Sequence, residues 1–493
     1  MGIVGPESSQ VKGIRATQRK LEGEQTVGIE RSGLKKVGIV PMNMSKSPLK
    51  ILWGSEQPIR PTGYAIVTRQ ICKRLVERGH EVYVMGWDYN GEPMKHEEGW
   101  WMVHAGIGGF STDRMAGPGS PTVLEHHLQT LEPDLYFSLI DPWFIGQSVI
   151  STNALKIPYI AYLPVDGFPI SYSWKDILKM LHTPLWMSHF GKKTFDEFIR
   201  RYASNGSAQL KLRDPVLDRY LGDDTSSVVY HGVDLDIFQP LEIEKKEIIK
   251  DALGIKWDFC FHSVARNTNR KQIPRLLQAF RQLLDRETID SSNIGLILHV
   301  GDATDSMGMG GWDLPMMIRE MELESNVAFT DQGTNPLFGL SETEMALTYA
   351  MADVHVLSTA GEGFGIPSVE AMACGRPIIL PNNTTGPELV GVKNPTQDKI
   401  TKGKRGWLVP CSEFLTGPKW GVMMGIVDID LLSEAMFLSY CDDKNREKLG
   451  KAARSWAELN CNWDKITDQV EELILDSVKN PHPLGNLATQ YGG

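Results

Sequence analysis

Along the chain, short apolar runs alternate with segments whose apolar positions recur every three to four residues. Lys50–Ser55 (KILWGS) is a run of the first kind and is predicted to be a strand. From Tyr64 to Arg78, Val67, Ile71 and Leu75 share one helical face, and Gly79 stops the helix. Glu81–Gly86, Asp134–Leu139, Pro158–Leu163 and Val228–Tyr230 are further strands. The rhythm restarts near Phe259, with strands at Phe259–Ala265, Gly295–Gly301, Val327–Thr330, Val354–Ser358 and Pro377–Pro381. Helices are predicted at Gln272–Leu284, Glu342–Met351, Asn445–Leu459 and Trp463–Val478, and Glu242–Leu253 is a helical joint. Such alternation predicts βαβ units and parallel sheets. The expected division is a leader at 1–49, an α/β domain at 50–240, a second at 241–460, and a closing helix and tail at 461–493. That helix is a candidate to pack back on the first domain.

Composition narrows the class. The 493 residues exceed one ordinary domain of about 100–200. A net charge of −10 argues against duplex nucleic acid as the main partner, since phosphate binding needs a basic face. Six scattered cysteines without a CxxC pair read as reduced thiols of a cytoplasmic protein. No apolar run reaches the ~18 residues of a spanning helix, and the N-terminus lacks a signal peptide's apolar middle region. The leader differs: up to Lys50 it carries nine Lys/Arg against four Glu. It is expected to contribute little to the core, either as a flexible segment or as a basic arm that makes peripheral contact with a membrane surface or an acidic acceptor.

The most informative stretch is Ser358–Gly375 (STAGEGFGIPSVEAMACG). A strand should end at Ser358, and a turn with Gly361, Gly363 and Gly365 follows. Pro367 suits the first turn of a helix and Gly375 its C-terminal end. Backbone N–H groups in such a turn and at the helix start point at an anion. Glu362 on the turn and Glu370 in the helix can face one ligand, and a carboxylate grips sugar hydroxyls with two acceptor oxygens. A second stretch, Ser263–Gln272 (SVARNTNRKQ), places Arg266, Arg270 and Lys271 directly after a buried strand. Fixed cations there would stabilise charge on a leaving group.

Glu362 and Glu370 form an E-x7-E pair, and the whole string GEGFGIPSVEAMACGRPII resembles the retaining glycosyltransferases of the GT-B fold, in particular glycosyltransferase family 4. Val228–Pro240 looks like the family's interdomain segment, Ser263–Gln272 like its phosphate-binding loop, and Asn382–Glu388 like the loop after the E-x7-E helix. The resemblance spans roughly Lys50 to Val478 and omits the leader. It implies two Rossmann-like domains facing across a cleft. It also implies transfer of a hexose from a UDP- or GDP-linked sugar, with retention of configuration and without a cofactor or required metal. The acceptor would be a carbohydrate, a lipid or a small molecule. Arg266 and Lys271 would hold the donor diphosphate, with Arg270 a rival for either place. Glu370 would bind the ribose, Glu362 would lie against the sugar, and the backbone of Phe364, Gly365 and Ile366 would complete the site.

The first domain would supply the acceptor side. Arg60–Tyr64 resembles the family's Gly-rich loop, but only Gly63 stands where many members have two glycines. Many members carry a His near the end of the strand before Pro164. This chain offers Asp166, either orienting sugar or acceptor or serving as a turn residue before Gly167. Asp141 is a second strand-end candidate. His126 and His127 are adjacent and cannot share one helical face, and no DxD pair is placed to hold a metal. Asp223-Asp224 reads as an exposed loop. Phe414–Gly425, rich in Met, Trp and Gly, reads as a packed loop at the domain edge or an aromatic flap over the acceptor. Alternative functions on the same architecture are a sugar phosphorylase, a nucleotide-sugar epimerase or a non-catalytic nucleotide-sugar-binding protein. Oligomeric state stays open.

Overall fold

The computed structural model describes residues 47–106, 121–203, 227–252, 254–305, 308, 310–330, 340–416 and 421–480. The basic leader up to residue 46 and Asp223-Asp224 lie outside them. The first sheet contains β1 (Lys50–Ser55), β2 (Glu81–Gly86), β3 (Met94–Lys95), β4 (Trp101–Val103), β5 (Leu135–Leu139), β6 (Tyr159–Leu163), β7 (Thr183–Trp186) and β8 (Ser227–Val228). Their spatial order is β3-β4-β2-β1-β5-β6-β7-β8, parallel except at β3–β4. β5 and β6 are buried along their whole length, as strands covered by helices on both faces must be.

The second sheet contains β9 (Phe259–Arg266), β10 (Ile294–Gly301), β11 (Val327–Phe329), β12 (Val354–Val356), β13 (Ile378–Pro381), β14 (Thr401–Lys402) and β15 (Gly406–Val409). The order is β11-β10-β9-β12-β13-β15-β14, antiparallel only at β14–β15. β12 stops at Val356, two residues before the predicted end. The Ser358 hydroxyl donates to the Lys271 carbonyl (3.0 Å) and the Ala360 N–H to that of Arg270 (2.7 Å), so the chain leaves the sheet to meet the loop after β9.

Within the stretch Phe414–Gly425, Phe414–Thr416 and Met423–Gly425 are strand rather than loop: they belong to the antiparallel pair β16 (Cys411–Thr416) and β17 (Met423–Val427), called the hairpin below. Pro184 within β7 disguised that strand, because proline normally argues against a central strand. β3, β4 and β14 are too short to show a period.

The helix Gly63–Glu77 is started by Thr62, whose hydroxyl accepts from the Ala65 N–H, and it buries Val67, Ile71 and Leu75. The closing helix Trp463–Lys479 packs on it through Trp463, Ile466, Val470 and Ile474, all buried within one cluster with Ile71 and Leu75. Ion pairs accompany this seam, Arg74–Asp464 at 2.8 Å and Arg78–Glu471 at 2.9 Å. The Arg74–Asp464 pair, exposed at its carboxylate, is worth up to about 1 kcal/mol, whereas each of the four buried apolar side chains contributes roughly 1.5–3 kcal/mol, so the apolar stripe is the main hold on the helix. The same cluster runs from Trp53 through Val233 and Phe238 to Phe364 and Val369, which joins the two sheets' halves of the molecule by apolar packing.

Candidate active site

Parallel α/β sheets present ligands at the carboxyl ends of their strands. Here the loops after β6, β9, β12 and β13 meet across the cleft. The turn after β12 fits only because it has glycines. A Cβ on Gly361 would stand 2.0 Å from the Asp166 carbonyl oxygen, and one on Gly363 would stand 2.6 Å from Pro164 Cβ. Gly365, at φ 104°, begins the helix Ile366–Ala373, a conformation that side chains avoid.

Glu362 is the hub. Its carboxylate accepts from Lys271 Nζ (2.5 Å) and from Arg270 Nη1 (3.2 Å), and its N–H donates to Thr384 Oγ1 (3.0 Å). Thr384 has φ 36°, which is uncommon for a β-branched residue and marks local strain in the loop after β13. Burial alone would raise the Glu362 pKa, but Lys271 and Arg270 outweigh it and hold it at about 2. Lys271 is pushed down to about 8, by burial first and then by Arg270, against the pull of Glu362. Arg270 also donates to the Gly361 carbonyl. Its Nε stands 3.8 Å from Asp166 Oδ2, so a salt bridge spans the cleft. Burial raises the Asp166 carboxyl above its usual range, Arg270 opposes this, and Glu362 adds to it.

Arg266 is placed differently. Its side chain is 64% exposed and approaches Glu56 of the first domain at 4.0 Å, while that of Lys271 is 10% exposed. Glu56 was not singled out from sequence; its only signal is its place one residue after β1. Burial raises its pKa, against Arg266. Beside it, Tyr64 OH donates to Asp141 Oδ1 (2.9 Å). Gly63 faces the second domain, since a Cβ there would meet Ile366 Cδ1 at 3.2 Å.

Glu370 lies one turn into its helix and accepts from Tyr349 OH (2.6 Å). Burial pushes its pKa up to about 8, which the Tyr349 hydrogen bond opposes. Phe364 is buried against Tyr230 and His231 at 5.3 and 5.2 Å between ring centroids. His231 hydrogen-bonds Tyr162 through Nδ1 (3.0 Å), and burial pushes it down to about 3, which makes it a neutral packing residue. His127 is tied to the His104 carbonyl (2.7 Å), away from the cleft.

Glu388 was noticed only as the end of a loop, yet it joins the domains. Its carboxylate accepts from the N–H groups of His189 (3.1 Å) and Phe190 (3.2 Å) at the start of the first-domain helix His189–Ala203, and from Tyr230 OH. A carboxylate there is favoured by the helix dipole.

Residues 245–412 match the family described as Glycosyl transferases group 1. Over those residues the chain is similar to the group 1 glycosyltransferases. The matched segment contains Arg266, Arg270, Lys271, Glu362 and Glu370. The O-antigen chain mannosyltransferase B of Escherichia coli is 35% identical over 123 residues, 25% of this chain and 28% of that protein. The chain thus spans about a quarter of the length of that curated relative. Among solved structures, the sucrose-phosphate synthase of Thermosynechococcus elongatus superposes with a TM-score of 0.60 at 18% identity, covering 86% of this chain and 98% of that one. Anabaena HepE in complex with UDP-glucose superposes with a TM-score of 0.58 at 15% identity, covering 87% and 100%. The matched segment lies in the second of two α/β domains that together have the GT-B fold. Among the described residues, no group of three or more His, Cys, Asp or Glu is arranged to hold a metal ion, and no helix is long and apolar enough to cross a membrane.

Proposed function

We propose that this chain is a retaining glycosyltransferase that moves a hexose from a nucleoside-diphosphate sugar to an acceptor hydroxyl. The observation that carries this reading is the cluster of Arg270, Lys271 and Glu362 at the strand ends of the segment similar to the group 1 glycosyltransferases, facing Asp166 across the cleft. Arg266 and Lys271 hold the diphosphate and stabilise its charge as the sugar C1–O bond breaks. Lys271 is then partly released from Glu362, which turns to the sugar hydroxyls. Glu370 receives the ribose. The acceptor oxygen bonds to C1 on the face the diphosphate leaves, and its proton passes to a departing phosphate oxygen. Asp166 orients the acceptor hydroxyl or the sugar from the opposite domain. The same cations do the electrostatic task that a divalent metal performs elsewhere, so turnover is expected to persist in EDTA. The similarity to a mannosyltransferase and to a protein seen with UDP-glucose leaves GDP-mannose and UDP-glucose as the first donors to try.

A thermal-shift screen of nucleotide sugars tests this, because a ligand that binds only the folded state raises its stability as RT ln(1 + [L]/Kd). One donor should stand out, and the product formed from it should keep the donor's anomeric configuration by NMR. Inverted product would overturn retention. Dependence on free phosphate would indicate a phosphorylase, and epimerised donor without an acceptor an epimerase.

A further inference from the structure

The hairpin β16–β17 starts at Cys411, where the family match is about to end at residue 412, and it touches both walls of the cleft. On the second-domain side, the Gly425 N–H donates to the Ala360 carbonyl (3.0 Å). The Asn383 amide donates to the carbonyls of Gly425 (2.9 Å) and Thr359 (3.0 Å). These anchors fall two and three residues before Glu362. On the first-domain side, Met423 and Phe168 exchange both backbone hydrogen bonds, at 3.1 and 2.9 Å. Val422 leaves the hairpin altogether. It is 2% exposed and belongs to the first domain's core, with Val165, Ile170 and Trp174. Gly167 is pressed so closely that a Cβ would stand 2.5 Å from the Met423 carbonyl oxygen and 2.6 Å from Val422 Cγ2.

These contacts are not spread along a domain seam. They fasten the residues on either side of Asp166 (Val165, Gly167 and Phe168) to the turn that carries Glu362. A bond that served only to join two domains could lie anywhere between them. This one sets the spacing of the two carboxylates that share Arg270. We propose that Val422 and Met423 are positioning residues, which hold the loop after β6 so that Asp166 stands against Arg270 and Glu362 in the transfer step. The assignment rests on the glycosyltransferase reading above, but its structural half can be read without turnover.

Two variants of the full chain attack the contact from opposite sides. Gly167→Ala inserts a methyl against Met423 without altering the hairpin, and Val422→Ala withdraws the side chain from the core. Amide hydrogen exchange across residues 164–170 should quicken in both, while exchange across β12 stays at the wild-type rate. With the donor found by the screen, kcat should fall on the order of 10²-fold, the usual consequence of an ångström-scale misplacement. The Kd for the free nucleoside diphosphate should not change. Val149→Ala, in the same core but remote from the loop, should lower Tm without changing kcat. Should Gly167→Ala not fold, Val422→Ala decides alone. Faster loop exchange with an unchanged kcat would overturn the positioning role, and unchanged exchange would overturn the fastening itself. If wild-type protein transfers sugar from no donor, the functional reading fails, and the exchange data still decide whether the hairpin holds the loop.

Discussion

On the second-domain wall of the cleft, Arg270, Lys271 and Glu362 come from loops after adjacent strands and bind one another directly. On the first-domain wall, Asp166 has one ion-pair contact across the cleft among the described residues, and the loop that bears it is fastened by a hairpin from the other domain. The first-domain wall is thus set by a segment of the other domain, and the second-domain wall by adjacent strands of its own sheet. A site assembled from neighbours carries its own geometry. A site that depends on remote fastening can be retuned without touching the charged cluster on the opposite wall, as different acceptors would require under the proposed function.

The comparison can be broken most directly at the cations. Lys271→Ala and Arg266→Ala should each lower the transfer rate by about 10²–10³, or ~3–4 kcal/mol, and weaken binding of the nucleoside diphosphate in calorimetry. A smaller and qualitatively different effect is expected on the other wall. Asp166→Asn should cost on the order of 10²-fold in kcat while leaving nucleoside diphosphate binding unchanged. If Asp166→Asn abolishes nucleotide binding and the cation variants spare it, the two walls have been assigned the wrong way round.

The smallest effect concerns stability. The Glu370 pKa is raised from 4.5 to about 8 in the folded chain, so the native state favours the protonated carboxyl. Below about pH 4.5 it is protonated both folded and unfolded and costs nothing. Between there and about pH 8 the unfolded chain releases the proton first, and stability declines with rising pH. Glu370→Gln removes this decline. The variant's melting temperature should exceed that of the wild type by more at pH 8 than at pH 5, and parallel curves would show that the carboxyl titrates normally.

The contrast also explains what could be read in advance. The strand, glycine turn and helix that carry Glu362 and Glu370 are contiguous, so local pattern sufficed to find them, and Arg266, Arg270 and Lys271 were visible because they follow an apolar run. The two α/β sheets were legible for the same reason. The hairpin was not, since Gly, Met and Trp give Phe414–Gly425 no clear alternation, and its partners lie in the other domain. Glu56 and Glu388 carry little local signal, a strand end for one and a loop end for the other, because each acquires its role from a residue that only folding brings near: Arg266 for one, and the start of a helix for the other. Thr384 could not be read as strained, because strain belongs to the backbone.

The chain crosses between the domains twice, and the crossings touch. The Val233 N–H donates to the Cys461 carbonyl at 2.8 Å, and Gly232 lies so close to Trp463 that a Cβ would meet its ring at 2.3 Å. Along the chain, the second domain is a parenthesis in the first: it opens after Gly232 and closes at Cys461, and the helix Trp463–Lys479 returns to the first domain. Adjacent ends are the condition under which one domain can be spliced into another without disturbing either. The second domain could thus be exchanged as a cassette through a single doorway, while the first is left whole.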